Sequence, residues 1–187
     1  MVKSAEFFQK IKDNGLFTTL TQGQVDSISA IISECERQGL TDLRQVAYIL
    51  ATAYHECHNP RHPELRLTPM KEFGGETYLK SKTYYPYFGR GFSQLTWDYN
   101  YTKEQKRLGI PLLANPDLLL DVKIAANSHV YCMVNGGYTS NGYTGKKLSD
   151  YINTNKKDYI SARKIVNGKD KAVEIAVIAE KFEAALT

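Results

Sequence analysis

The 187-residue chain is poor in cysteine and tryptophan and has no long apolar run. Its three cysteines, Cys35, Cys57 and Cys132, are an odd number that cannot pair completely within one chain. Each sits inside an apolar pattern and not at a loop staple. A disulfide framework is therefore excluded, and reduced, buried thiols are expected, as in a chain made in a reducing compartment. No Cys-x-x-Cys occurs, which removes zinc sites of the cysteine-pair type. The purest apolar stretch, Val46 to Ala53, is far too short to cross a bilayer, so no stable membrane insertion is expected. The opening Met1-Val2-Lys3-Ser4-Ala5-Glu6 lacks a signal-type apolar core and a small-residue cleavage site. The expectation is a protein that its own sequence does not send through the general secretory route. With no internal repeat, low-complexity tract or linker, a single domain over residues 1–187 is expected.

Apolar residues make up 42% and charged residues 24%, the balance of a globular domain, which excludes a disordered chain. The formal charge of +4 is a mild basic excess. It suits an anionic partner such as a cell-wall or nucleic-acid surface and selects neither. Thirteen tyrosines against one tryptophan fit a polar groove, although tyrosine also packs in ordinary cores.

Apolar residues at helical spacing predict helices over 4–13, with Phe7, Phe8 and Ile11 on one side, and over 21–37, with Val25, Ile28, Ile31 and Ile32. Thr21 is the expected cap of the second and Gly39 its stop. Thr41 is expected to cap a third helix running to about Cys57, with Val46, Ile49, Leu50 and Ala53 in one stripe. Residues 59–92 are punctuated by prolines and glycines and read as irregular chain with one small hairpin. Helical pattern resumes over 97–107 and 116–134, then in shorter pieces over 146–153, 156–166 and 169–186. The fold class is mainly α, helices around an irregular central insert. A segment that long without regular structure is usually functional, so the chemistry is sought there.

The third helix ends Ala53-Tyr54-His55-Glu56-Cys57-His58, and Glu56 lies three residues past Ala53 and seven past Ile49. It borders the apolar stripe, and partial burial disfavours the ionised form of a carboxyl group. A general acid needs that property; a structural Glu bonded to a neighbouring amide or Arg has the same local pattern. His55, His58 and His62 do not make a zincin site: His55 and His58 are three apart instead of four, and Pro60 breaks the helix. No metal is expected. A second acid, if Glu56 is a glycosidase-type acid, comes from Glu64, Glu72 or Glu76. Glu72 precedes the Gly74-Gly75 turn and Glu76, the reserve choice, follows it. Loop conformation, not spacing, sets the carboxylate separation that decides between retention and inversion.

Residues 84–101, from Tyr84-Tyr85-Pro86-Tyr87-Phe88-Gly89-Arg90-Gly91 to Tyr99-Asn100-Tyr101, alternate aromatic faces with amides and hydroxyls. That suits sugar rings, whose C–H faces stack while their hydroxyls hydrogen-bond. Arg90-Gly91-Phe92 opens like an RNA-recognition signature, but Ser93-Gln94-Leu95 breaks it, so nucleic acid is not expected as a partner.

With these residues in view, the chain resembles glycoside hydrolase family 19, on its phage and prophage endolysin branch. The likeness runs through Phe17…Leu20-Thr21-Gln22-x-Gln24-Val25, Ala53-Tyr54-His55-Glu56 and Pro69-Met70-Lys71-Glu72-Phe73-Gly74-Gly75. It continues through Phe88-Gly89-Arg90-Gly91-Phe92-x-Gln94-Leu95-Thr96, Tyr99-Asn100-Tyr101, Asn115-Pro116-Asp117 and Ile165-Val166-Asn167-Gly168. The resemblance implies a lysozyme-like (α+β) domain with a deep cleft, hydrolysing β-1,4 bonds beside an N-acetylated amino sugar with inversion. It implies Glu56 as general acid, Glu72 as general base and Thr96 as the residue that holds the attacking water. His55, Gln94, Tyr99, Asn100 and Asn167 take substrate-contacting positions, and no cofactor is required. The chain departs from the plant chitinases in having Cys57 where Thr is usual, no disulfide framework and a step of only 16 residues from Glu56 to Glu72.

Within that resemblance the substrate expected first is bacterial peptidoglycan. The chain would be a monomeric endolysin held in the host cytoplasm until a holin-made hole releases it to the cell wall. Three features favour this: the short chain without a Cys-rich chitin-binding module, the missing signal peptide, and the basic charge. Chitin is the alternative substrate. A catalytically silent cell-wall sugar-binding module and a zinc peptidase acting on the peptide stems are the rivals from other classes.

Overall fold

A computed structural model describes residues 4–136 and 144–187. Helix α1 (Ala5–Asp13) starts where Ser4 Oγ accepts from the Phe7 N–H, and it buries Phe7 and Ile11 one turn apart. Helix α2 (Gln22–Arg37) opens with a capping box in which Thr21 and Gln24 satisfy each other's backbone N–H groups. Its inner face carries Ile28, Ile31, Ile32 and Cys35. Helix α3 (Leu43–Glu56) is capped by Asp42, not by Thr41 as expected: the Asp42 carboxylate accepts from the Arg44 N–H and also pairs with the Arg44 guanidinium. From Val46 to Tyr54 every residue of α3 is buried, so it is the central helix and not a one-sided amphipathic one. Each fully buried Ile or Leu there contributes about 1.5–3 kcal/mol relative to exposure.

Helix α8 (Ala172–Leu186), which buries Ile175, Ala179, Phe182 and Leu186, packs along α3, with Phe182 edge-on to Tyr54, while α6 (Val122–Asn135) packs on α2. The stretch over 116–134 is two elements where one was expected. A 3-10 turn, Pro116–Leu120, ends at Asp121, whose side chain accepts from the N–H groups of Lys123 and Ile124 and restarts the chain as α6. The shorter pieces also differ. Residues 146–153 form a 3-10 turn, Leu148–Asp150, followed by strand β3 (Ile152–Asn153), which pairs antiparallel with β4 (Lys156–Lys157). Only Tyr159–Ala162, α7, is α-helical within 156–166, and it tightens into a 3-10 turn over Arg163–Ile165.

The insert contains the expected hairpin in a two-residue form. Strand β1 (Met70–Lys71) pairs antiparallel with β2 (Arg90–Gly91), Met70 opposite Gly91 and Lys71 opposite Arg90. Between them lies a short helix the sequence pattern did not suggest, α4 (Glu76–Lys80). Helix α5 (Asp98–Leu108) follows the hairpin and ends on Gly109 in the left-handed region. The buried apolar residues divide in two. A large cluster joins α1, α2, α3, α6 and α8, and a smaller one, Leu95, Tyr101, Leu112, Leu119 and Cys132, lies under α5. Among the described residues no helix is long and apolar enough to cross a membrane.

Candidate active site

Glu56 is the last residue of α3, and its side chain is 20% exposed. Arg163 Nη1 donates to Glu56 Oε1 at 2.5 Å. Arg163 is itself buried, and its Nε donates to the Asp170 carbonyl at 2.9 Å, which fixes the guanidinium against the carboxylate. Of the two arrangements that share the local pattern, the structure shows the Arg-bonded one, with a buried cation on one Glu56 oxygen in addition to partial burial. A faint signal for Arg163 exists in the sequence. It stands four residues after Tyr159 and three before Val166, both buried, where the helical period calls for an apolar side chain. The neighbouring His55 has Nδ1 at 3.8 Å from Glu174 Oε1. Burial pushes its imidazole below the ordinary value, against the opposing pull of the Glu56 carboxylate. His58 is lowered in the same way, by burial first and then by the Arg66 charge. His62 and Glu64 are exposed and bond each other at 3.0 Å. Among the described residues, no three His, Cys, Asp or Glu side chains gather as metal ligands would.

The next residue, Cys57, connects the end of α3 to the hairpin. Its thiol donates toward the carbonyls of Gly91 and Phe92 at 3.5 and 3.6 Å, and burial pushes it far above the ordinary thiol value. It is a structural donor and not a nucleophile. Gly91 is opposite Met70, and Glu72 lies two residues further along that chain, about 7 Å of extended backbone. The half-buried Glu72 has a donor on each carboxylate oxygen. Tyr84 Oη donates to Oε1 at 2.8 Å, and the Gly89 N–H donates to Oε2 at 3.3 Å. Glu72 also donates its backbone N–H to the Gly89 carbonyl at 2.7 Å. Glu76 is placed differently, exposed on α4 and paired with Lys80.

The block from Phe88 to Tyr101 is organised by Arg90. Its Nε pairs with Asp117 at 2.6 Å, and its Nη1 donates to the Pro86 and Phe88 carbonyls and to Tyr101 Oη. The buried guanidinium lies 3.8 Å from the Phe88 ring centroid. The Gly-Arg-Gly and Asn-Pro-Asp motifs thus meet as one ion pair between β2 and the turn before α6. Gln94 adopts a φ of +54°, and its amide donates to the Met70 and Gly91 carbonyls, bracing the hairpin. A side chain at Gly89 would place Cβ 2.8 Å from Gln94 Oε1 and 3.2 Å from the Gln94 Cβ, so the bracing amide would have to shift. Thr96 Oγ1 donates to the Gln94 carbonyl at 2.8 Å, which leaves its oxygen able to accept. Asn100 is buried and its amide donates to the Thr96 carbonyl at 2.8 Å. Tyr99 is exposed and stacks on Trp97 at 5.9 Å with a 15° interplanar angle. Asn167 is exposed on the Glu56 side, its N–H on the Arg163 carbonyl at 2.9 Å.

The expected site residues therefore fall in two groups. His55, Glu56 and Asn167 gather around Arg163, and Glu72, Gln94, Thr96, Tyr99 and Asn100 gather on and after the hairpin, with Cys57 joining the two. Beside Glu72 is an aromatic pocket of about 350 Å3 lined by Tyr84, Tyr85, Tyr87, Trp97 and Tyr99. A larger cavity of about 700 Å3, between α2 and the start of α6, contains none of these residues. Two residues that hold the acids, Arg163 and Tyr84, were absent from the expected set.

No protein-family model matches the chain. It is 35% identical over 98 residues to an endochitinase of Arabidopsis thaliana, a match covering 49% of this chain and 32% of that protein. Endochitinase A2 of Pisum sativum is 36% identical over 91 residues, covering 42% of this chain and 28% of the relative. The chain thus spans about a third of the length of the curated relatives it matches. Among solved structures, chitinase C of Streptomyces griseus superposes with a TM-score of 0.64 at 21% identity, covering 98% of this chain and 78% of that one. A bacterial family 19 chitinase gives a TM-score of 0.55 at 20% identity, covering 97% and 93%. The helices, the hairpin insert and their order thus form the mainly helical, lysozyme-like fold of the family 19 chitinases, in a chain whose sequence is similar to plant endochitinases.

Proposed function

We propose that the chain is a glycoside hydrolase of the family 19 type, cleaving β-1,4 bonds beside N-acetylated amino sugars with chitin as its substrate class. One observation carries the reading: two carboxyl groups, each held by its own donor, stand at opposite ends of a single tie from α3 through Cys57 to the hairpin. The names of the similar proteins, endochitinases throughout, favour chitin over the peptidoglycan expected first from charge and length.

In this reading Glu56 is the general acid. Arg163 occupies Oε1, so Oε2 is the oxygen that carries the proton to the departing glycosidic oxygen. Glu72 is the general base, preferred to Glu76 because both its oxygens are oriented while Glu76 is exposed against a lysine. A water between Glu72 and the anomeric carbon loses its proton to the carboxylate as its oxygen bonds to that carbon. Meanwhile the C–O bond to the leaving sugar breaks toward Glu56. Thr96, its hydroxyl donating to Gln94, accepts a hydrogen bond from that water. His55, Gln94, Tyr99, Asn100 and Asn167 serve the sugar directly or shape the walls that do. No cofactor enters.

The +4 charge supports a second reading, a monomeric peptidoglycan lysin released through a holin-made hole. Soluble-sugar release from colloidal chitin, set against turbidity loss of permeabilised cells, separates the two: activity on sacculi alone overturns the chitin assignment. Glu56→Gln is expected to abolish hydrolysis of either polymer while keeping the wild-type circular dichroism. Wild-type turnover by that folded variant would refute the acid role. A silent binding module would retain sugar affinity and show no turnover even in the wild type.

A further inference from the structure

We infer that Tyr84 is a positioning residue for Glu72, holding the base carboxylate in the orientation from which it takes a proton from water. This rests on the hydrolase reading above. Glu72 follows β1 in a chain of short, irregular pieces, and a glutamate there has three side-chain torsions to fix. Its backbone donor, the Gly89 N–H, is long at 3.3 Å; the phenol of Tyr84, at 2.8 Å, is the close one.

The phenol can set that orientation because its own ring is fixed. Tyr84 meets Trp97 edge-on, with centroids 5.3 Å apart and planes at 74°. Trp97 is in turn held by an unusual backbone, φ +78°, with its N–H donating to the Tyr87 carbonyl at 2.8 Å, and by its stack on Tyr99. The chain of contacts runs from the exposed ring of Tyr99 through Trp97 and Tyr84 to a carboxylate oxygen. Tyr84 also keeps its proton: burial, and then the hydrogen bond to Glu72, push the phenol up to about 12. It is therefore a donor throughout the range in which the enzyme works, and it does not compete with Glu72 as a base. The two carboxylate oxygens divide the work, Oε1 anchored by Tyr84 and the Oε2 side, less tightly held, left to receive the water proton.

A positioning role touches the chemical step and leaves substrate affinity alone. The test is Tyr84→Phe, assayed for kcat and KM on a soluble chitin oligomer and for oligomer affinity by calorimetry with Glu56→Gln as background. The expected result is a kcat about 10- to 100-fold lower, the effect of removing one hydrogen bond to a charged group. KM and oligomer affinity should stay within about twofold and the melting temperature near wild type. If the phenylalanine variant does not fold, Glu72→Gln in the wild-type background supplies the second measurement: a kcat loss with unchanged KM is expected, and wild-type kcat overturns the role. Unchanged kcat, or a raised KM at constant kcat, overturns the positioning role while wild-type turnover keeps the hydrolase reading intact. A wild type that turns over neither chitin nor sacculi overturns both.

Discussion

His129 shows what burial does to an ionisable group outside the candidate site. Its Nε2–H donates to the Ile49 carbonyl at 3.0 Å, and Ser93 Oγ closes on Nδ1, so the neutral ring has both nitrogens used. Burial pushes the imidazole down to about 4. An unfolded histidine takes a proton near pH 6.5. The unfolded chain therefore binds more protons between those values. This contribution to stability is complete above about pH 6.5 and declines to zero as pH falls through about 4. The expected loss is ~3 kcal/mol, with His55 and His58 shifted in the same direction. Urea denaturation from pH 7 to 4 should show the fall, and His129→Gln, which can still donate to Ile49, should flatten it. Residues of this kind divide sharply in legibility. Helical spacing puts Glu56 beside the apolar stripe but fits a structural glutamate equally, and it was the ordered motifs around it that singled it out. Its partner Arg163 lies 107 residues away, beyond the reach of any local period. Tyr84 was hidden among neighbouring tyrosines of equal appearance, because only the folded hairpin decides which phenol meets a carboxylate.

Helices were the most legible elements, since a 3.6-residue period survives whatever packs on it. Their ends were less so: Asp42 takes the cap expected of Thr41 because its carboxylate accepts an amide and holds Arg44 at once. The break at Asp121 illustrates the same limit, since an apolar run continues across it. Asp121→Ala removes the acceptor of two amides at the start of α6 and should cost about 1 kcal/mol, readable in a denaturation midpoint. The hairpin strands are too short for any alternation to show, and α4 is a five-residue turn of helix following the Gly74-Gly75 pair. At Gly74 an added Cβ would lie 2.2 Å from the Tyr78 ring, while at Gly75 nothing lies within 4 Å. Gly74→Ala should therefore destabilise by roughly 1–3 kcal/mol and Gly75→Ala by much less. Equal effects at the two positions would show that neither the Tyr78 ring nor the φ of +157° at Gly74 constrains this turn.

For the molecule as a whole, composition and period were enough for a mainly helical domain, but not for the division of its interior. That division follows from long-range contacts: α3 against α8 on one side, and Leu95, Tyr101 and Leu119 gathered under α5 on the other. The smaller cluster supports the aromatic pocket through Tyr87, while the larger one holds the helix that ends at Glu56 and, through Met70 and Phe92, reaches the hairpin as well. Leu119→Ala should cost about 2–4 kcal/mol. In hydrogen exchange it should speed the amides of α5 and the hairpin well before those of α3, with a parallel loss of hydrolysis. Uniform acceleration would mean that the two halves open together. Cys57 ties the end of α3 to β2, whose partner strand leads on to Glu72. A slip of a single residue in that seating, about 3.3 Å, is comparable to the difference between the carboxyl gaps of inverting and retaining enzymes. The first anomer seen by proton NMR in fresh digests, α if the gap admits a water, is thus a gauge of how Met70 sits against Gly91.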